Sequence, residues 1–340
     1  MPFESVSTRA ISDVNNGPSQ KIFCALPHSF AIQLTGADAA KVVNNLSTND
    51  IGKLPLGTSC ETFITEARGR VVAHAGVLKG QDEAWLLGSH PSPDLIASHL
   101  DRYIIREAAA INNRSEELEL FTLHNGVLPS GIVLAEPHAA NPSELAAAEA
   151  TPTSVAEQSL LEPLDLAQVS PAIFSCLLPI WGAGTQLLCC PREQVAKLVD
   201  KLHLDGFRQC EEQHYQWLRV SNFWPLQTAD ISDKTIPQEL DRDPQAISFT
   251  KGCYLGQETI ARLDARGQLQ KKLCLVELAA AGQYTVGDPL YNADKEVGHI
   301  TSLARSPDAA QVRALAYLRR GNFQPATQLS CGGLSAIVVR

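Results

Sequence analysis

The sequence predicts an α+β protein that ends in a small all-β domain. Three observations predict it. Short strand-like and helix-like patterns alternate through the first two thirds of the chain. They do so without a glycine-rich phosphate loop, which favours α+β sandwiches over a dinucleotide-binding fold. From Lys272 onward, strand-length apolar segments alternate with Gly282, Gly287-Asp288-Pro289 and Gly321-Asn322, a pattern of strands joined by turns.

The elements follow in order. The first twenty residues are polar and carry Asn15-Asn16-Gly17-Pro18, which reads as a tail and a turn. Residues 30–34 alternate like a strand, and 38–45 read as a short helix. Residues 58–64, 70–78 and 84–87 read as strands. Residues 93–103 have helical spacing that groups Leu95, Ile96, Leu100 and Ile104 on one side. Residues 119–123 are strand-like. The stretch 129–168 is rich in Ala, Pro, Ser and Glu, the composition of a surface insertion, with a short helix expected at 143–150. Cys189-Cys190 lies in an apolar run and reads as strand interior. Residues 193–202 and 211–220 are amphipathic helices, the second offering Tyr215, Trp217 and Leu218 for packing.

A chain of 340 residues has room for two or three domains, each with its own core. No apolar run approaches the roughly 20 residues that span a bilayer, so no membrane association is expected. The N-terminus has no basic start followed by an apolar stretch, so no signal peptide is expected. The nine cysteines include no CxxC pair, which favours free thiols in a reducing compartment and a cytoplasmic location. The net charge is −9 and unevenly spread. Between Ser115 and Pro191 there are nine acids and no Lys or Arg, leaving 28 acids against 28 bases elsewhere. That balance lacks the basic stripe of a nucleic-acid binder, and no nucleic acid is expected as a partner.

The densest chemistry is the octapeptide Lys251-Gly252-Cys253-Tyr254-Leu255-Gly256-Gln257-Glu258. One thiol stands between two glycines, which let a ligand approach the main chain. Lys251 brings positive charge that favours a thiolate at Cys253, and Tyr254 offers a flat apolar ring with a polar tip. The competing reading is a turn holding a buried cysteine, because free cysteine is among the most buried residue types. Downstream, Arg262 and Arg266 are four apart and share a face if the segment is helical.

With Ile236-Pro237-Gln238-Glu239-Leu240 upstream, Ala246–Ile247-Ser248-Phe249-Thr250 leading in, and Ala261-Arg262 and Arg266-Gly267 downstream, the octapeptide resembles the signature of the YgfZ family of folate-binding proteins. That family belongs to the glycine-cleavage T-protein (aminomethyltransferase) superfamily. Ala31–Ala40, Asn45-Leu46-Ser47-Thr48-Asn49-Asp50, Val297-Gly298-His299-Ile300 and Ala314–Arg320 extend the likeness over most of the chain. The resemblance implies two interleaved ferredoxin-like α+β domains plus a C-terminal antiparallel β-barrel around a central channel that takes folate. The expected partition is 1–52 with 118–235, carrying the 129–168 insertion; 53–117 with 236–270, carrying the octapeptide; and 271–340 as the barrel.

The resemblance further implies tetrahydrofolate or a derivative as ligand, and transient iron–sulfur client or assembly proteins as partners. The anionic folate tail calls for cations, which arginine grips best. The expected folate residues are Lys251, Tyr254, Gln257, Glu258, Arg262 and Arg266, with Cys253 as the reactive thiol. His74, Ser221, Gln238, Glu239 and Arg319 are further channel candidates. A cluster wants about four thiolates, and near Cys253 only Cys274 is close in sequence, so no stably bound metal is expected. Two departures matter. The catalytic acidic pair of the aminomethyltransferases falls on Ala73-His74, which speaks against that activity. The glutamate that contacts the pterin in relatives is Ser221, and a following glycine is Phe223. A divergent tetrahydrofolate-dependent aminomethyltransferase and a folate-free interaction scaffold remain the alternatives.

Overall fold

The structure, a computed structural model, describes residues 21–125, 133–135, 173–180, 182, 184–267 and 269–340. In chain order the elements begin β1 (Ile22–Ala25), β2 (Ser29–Thr35), α1 (Ala39–Leu46), β3 (Ser59–Thr65), β4 (Val71–Lys79), β5 (Glu83–Ser89), α2 (Pro93–Asp101) and β6 (Ala110–Asn113). They continue with β7 (Leu118–His124), β8 (Val133–Ala135), β9 (Phe174–Leu177), β10 (Gln186–Pro191), α3 (Val195–Leu204), β11 (Arg208–Gln209) and α4 (Glu212–Ser221). After a 3₁₀ turn at Pro237–Leu240 come α5 (Asp243–Ala246), α6 (Gln257–Arg266), β12 (Lys271–Leu278), β13 (Pro289–Asn292), β14 (Lys295–Arg305), β15 (Val312–Arg319), β16 (Gln328–Cys331) and β17 (Leu334–Val338).

The strands form a six-stranded sheet ordered β11-β1-β7-β10-β9-β8, a five-stranded sheet ordered β3-β4-β5-β2-β6, and a closed barrel β12-β15-β14-β13-β16-β17. The α+β class and the C-terminal barrel are as the sequence predicts. The two sheets face each other across a shared core. Ile22, Leu120, Cys176 and Leu187 of the first meet Ala31, Leu78, Trp85 and Leu87 of the second. Helices α1 and α2 cover the outer face of the second sheet, and α3 covers that of the first. Strand β2 is therefore buried on both sides, with Phe30, Ile32 and Leu34 toward the helices and Ala31 toward the sheet seam. At Gly76 a Cβ would lie 2.2 Å from Leu178 Cδ1, so glycine is what lets Leu178 pack against β4 there.

The strands of the second sheet, β2 to β6, fall in the chain between β1 and β7 of the first. The segment 29–46, grouped by the sequence reading with the first unit, belongs to the second. Strand β2 pairs with β5 along its whole length and with β6 from Ile32 to Thr35, and α1 packs on that sheet. Hydrogen-bond partners distant in sequence decided this, which local patterning does not encode. Helix α2 also differs in rotation. Ile96, His99 and Leu100 are buried while Leu95 points outward, 51% exposed. The helix expected at 143–150, and most of the acidic insertion, lie outside the described residues.

The barrel is joined to the rest by a buried polar knot. Asp230 accepts hydrogen bonds from Thr301 Oγ1 at 2.5 Å and Ser302 Oγ at 2.7 Å, both on β14. Arg219 of α4 reaches Asp230 at 3.2 Å and donates to Ser302 Oγ at 3.0 Å. Tyr317 Oη donates to the Asp230 carbonyl at 3.0 Å. Around this knot Trp217, Val220 and Phe223 pack with Leu273, Leu275 and Leu315 of the barrel.

Candidate functional site

The octapeptide loop is built against the other sequence motif, Asn45–Asp50. Leu255 N–H donates to the Asn45 carbonyl at 2.8 Å, and Ser248 N–H to the Thr48 carbonyl at 2.9 Å. Thr48 Oγ1 donates to the Ala246 carbonyl at 2.6 Å, and Thr65 Oγ1 to the Leu255 carbonyl at 2.7 Å. Lys251 is buried and points into the end of α1, donating to the carbonyls of Asn44 (2.6 Å), Ser47 (2.8 Å) and Asn49 (2.6 Å). A cation at a helix C-terminus satisfies its orphan carbonyls and opposes the dipole. Burial nevertheless lowers this ammonium to about 8, with Asp50 and Cys60 pulling the other way. The sequence reading set Lys251 beside the Cys253 thiol; the structure commits its three donors to carbonyls.

Two glycines set the height of the loop. Gly256 has φ +84 and a Cβ there would lie 2.6 Å from both the Glu66 carbonyl and Gly69 Cα. Gly69, at φ +77 in the β3–β4 turn, faces it in return. Bare backbone meets bare backbone, and α6 starts directly after Gly256. Gly252 is open on all sides, with nothing within 4 Å of a would-be Cβ. Cys253 beside it is exposed, whereas Cys24, Cys176, Cys189, Cys190, Cys274 and Cys331 are buried.

The remaining expected residues divide into two groups. Tyr254 is buried, its ring 4.9 Å from Lys251 Nζ and its hydroxyl pushed up to about 12 by burial. Gln238 is buried and donates to the Ile260 carbonyl at 2.6 Å, while its Oε1 has no partner. Glu239 is buried, its carboxyl raised by desolvation and tempered by Lys271 at 3.6 Å. Ser221 is buried at the end of α4 and its hydroxyl has no hydrogen-bond partner. Glu258, Arg262 and Arg319 are exposed, and Gln257 is half-buried. Arg266 ends α6, with its side chain outside the described residues.

His74 stands in a charged cluster that the sequence did not reveal. Its Nε2 lies 2.8 Å from Glu61 Oε1, and its ring stacks 4.3 Å from Trp224 and 4.9 Å from Phe63. Arg242 clamps Glu61 through two bonds, from Nε to Oε1 and from Nη2 to Oε2, the latter at 2.5 Å. It also donates to the Phe223 carbonyl at 2.9 Å and lies over the Trp224 ring. Burial alone would raise the Glu61 carboxyl, but the charge and hydrogen bonds of Arg242 and His74 outweigh it and hold it at about 2. Glu61 thus puts a carboxylate on β3, beside the strand where the acidic pair is missing. Ionised and clamped, it is a poor proton acceptor at neutral pH. The one signal for Glu61 is that it is the sole charged residue of β3; Arg242 and Trp224 sit in loops with no such signal.

Next to this cluster, at the seam between the sheets, His74, Gly88, Leu178 and Trp224 border a cavity of about 10 Å³, room for one water. Among the described residues no group of three or more His, Cys, Asp and Glu is placed to hold a metal. No helix among them is long and apolar enough to cross a membrane.

No family model matches the chain. It is 25% identical over 306 residues to a chloroplastic protein of Arabidopsis thaliana that bears a provisional transferase name, covering 87% of this chain and 64% of that protein. It is 26% identical over 263 residues to the tRNA-modifying protein YgfZ of Yersinia enterocolitica, covering 76% of this chain and 72% of that one. With the protein of the same name from Colwellia psychrerythraea it shares 37% identity over 83 residues, 24% of this chain and 25% of that one. Its fold matches glycine cleavage system aminomethyltransferase T of Bartonella henselae with a TM-score of 0.71 at 14% identity, over 94% of this chain and 85% of that one. The recurrent name among these sequence relatives and the octapeptide loop show a chain similar to the YgfZ proteins, and its fold is that of glycine cleavage aminomethyltransferase T.

Proposed function

We propose that this protein binds a reduced folate and, through Cys253, supports assembly or repair of iron–sulfur clusters in client enzymes. The observation that carries this reading is the contrast at the octapeptide. Its backbone is pinned by Lys251 and the Gly256–Gly69 contact, yet its one thiol is exposed. A loop that served only as packing would bury that sulfur.

Two orphaned groups support a ligand with amide and amine edges. Ser221 Oγ and Gln238 Oε1 are buried and unpaired, and such groups are costly unless something completes them. Their neighbours Val220 and Leu240 share one core cluster with Tyr254. A pterin supplies both donors and acceptors of the required kind. Ser221 and Gln238 would hold its edge, and the exposed Arg262 and Arg319 would attract the glutamate tail. Bound tetrahydrofolate would supply a carrier for one-carbon units. The Glu61–Arg242–His74 cluster orients the Trp224 ring at the sheet seam and keeps a fixed charge pair there. It offers no free base, which weighs against aminomethyl transfer. The name of the Yersinia and Colwellia relatives points to tRNA modification. With charges outside the acidic segment in balance, a contribution to that process fits service to client enzymes better than a direct grip on the phosphate backbone.

The test is calorimetry on the purified protein with tetrahydrofolate and its polyglutamates. Affinity is expected to rise with glutamate number and to fall with salt, as screened charges do. Binding that ignores salt and the paired change Arg262→Ala, Arg266→Ala would remove the tail-gripping role, and no binding at all would leave the scaffold reading. For the second half, a strain lacking its own homologue and carrying Cys253→Ala is expected to lose most activity of an iron–sulfur enzyme. Full complementation would sink the thiol's role while leaving folate binding untouched.

A further inference from the structure

A second thiol pair lies outside the octapeptide loop. Strand β1 pairs in parallel with β11, Ile22 with Arg208 and Phe23 with Gln209. Cys210 continues that register by donating its N–H to the Phe23 carbonyl at 2.9 Å, which sets Cys210 beside Cys24. Neighbouring strands lie ~4.8 Å apart, within the ~4.4–6.8 Å between Cα atoms that a disulfide tolerates. Both side chains face the same core cluster, Cys24 within it and Cys210 packed against it. Cys24 Sγ is 3.8 Å from the Cys210 carbonyl. The two thiols differ in access. Cys24 is buried, and Cys210 is half-exposed at the wall of a groove of about 270 Å³ that Arg208, Gln209, Glu211, Gln213 and His214 also line.

We propose that Cys24 and Cys210 form a reversible disulfide by exchange with a low-molecular-weight disulfide admitted through this groove. The entering disulfide is RSSR. The Cys210 sulfur, as thiolate, attacks one of its sulfurs, forming Cys210–S–S–R and expelling RS⁻. Cys24 gives its proton to that leaving thiolate. The Cys24 thiolate then attacks the Cys210 sulfur, breaks the mixed disulfide and expels the second RS⁻, which is protonated from water by the proton first released by Cys210. Two protein thiols are oxidised by two electrons in all, and RSSR becomes two RSH. The buried partner is the resolving thiol, because it touches Cys210 but not solvent. The hydrogen bond between the two thiols lowers Cys24 and raises Cys210, so attack awaits loss of the Cys210 proton to water. The linkage would tie β1 to the strand that leads into α4, the helix bearing Arg219 and Ser221.

The test uses the full chain carrying Cys253→Ser, so that the exposed thiol does not report. It is equilibrated in buffers of varied glutathione disulfide to glutathione ratio, acid-quenched, alkylated and mapped by mass spectrometry. The expected result is loss of two hydrogens with a peptide pair joining Cys24 and Cys210, reversed by excess glutathione in the folded protein. Adding Cys24→Ser is expected to trap glutathione on Cys210. The proposal is overturned if both thiols stay reduced in glutathione disulfide alone. It is equally overturned if Cys210 keeps a stable glutathione adduct while Cys24 is intact, or if the linkage reverses only after unfolding.

Discussion

Glu61 is a buried carboxylate held by Arg242 and His74, and no motif flagged it. Its folded carboxyl sits at about 2, against ~4.3 in an unfolded chain. The unfolded state therefore takes up this proton first as pH falls. The stabilisation is complete above about pH 4.5, is lost as pH drops through 2, and amounts to about 3 kcal/mol at neutral pH. Glu61→Gln leaves Arg242 buried without its counter-charge, and we expect it to cost about 3–5 kcal/mol in urea unfolding at pH 7. The variant should also lose the wild type's steep decline between pH 4 and 2; an unchanged acid limb would show that other carboxylates govern it. At Cys253 the expectation is kinetic. Burial pushes Cys176 and Cys274 up to about 12 and raises Cys189 as well, so alkylation mapped on the folded protein should label the exposed Cys253 first.

At the scale of elements, the octapeptide loop is held by what its glycines lack. Gly256→Ala puts a methyl group into the Glu66–Gly69 turn and forces an alanine to φ +84. A cost of about 2–3 kcal/mol is expected, with α6 displaced. Gly252→Ala faces open space and should stay within about 0.5 kcal/mol of wild type. Equal unfolding midpoints for the two variants would refute the backbone-contact account. Lys251 acts at the same scale, as a cap on α1 supplied from a loop some two hundred residues later in the chain.

Across the whole molecule, the barrel is not an independent appendage. Trp217, Val220, Phe223, Tyr254 and Ile260 are buried against Leu273, Leu275, Leu315 and Tyr317 in one cluster, and Asp230 is satisfied by hydroxyls of β14. A chain ending at residue 270 would expose that cluster and leave Asp230 and Arg219 with fewer partners. It is expected to bind a hydrophobic dye and to unfold without a cooperative transition, whereas the full chain shows one. A cooperative, dye-free truncated chain would mean the barrel contributes little to the site.

The sequence by itself determined the α+β class, the all-β end, most strands and helices, and the octapeptide as the place to look. Each of these rests on local information: hydrophobic period, turn residues and a contiguous motif. Tertiary structure alone decided that β2 and α1 belong to the second sheet, because strand partners are chosen by long-range pairing. It turned Leu95 outward, since which face of a helix is buried depends on the sheet beneath it. It also drew Lys251 onto α1, and joined Glu61, His74, Trp224 and Arg242 from four separate segments. Charges buried together must pair in space, and spacing along the chain carries no record of which will meet.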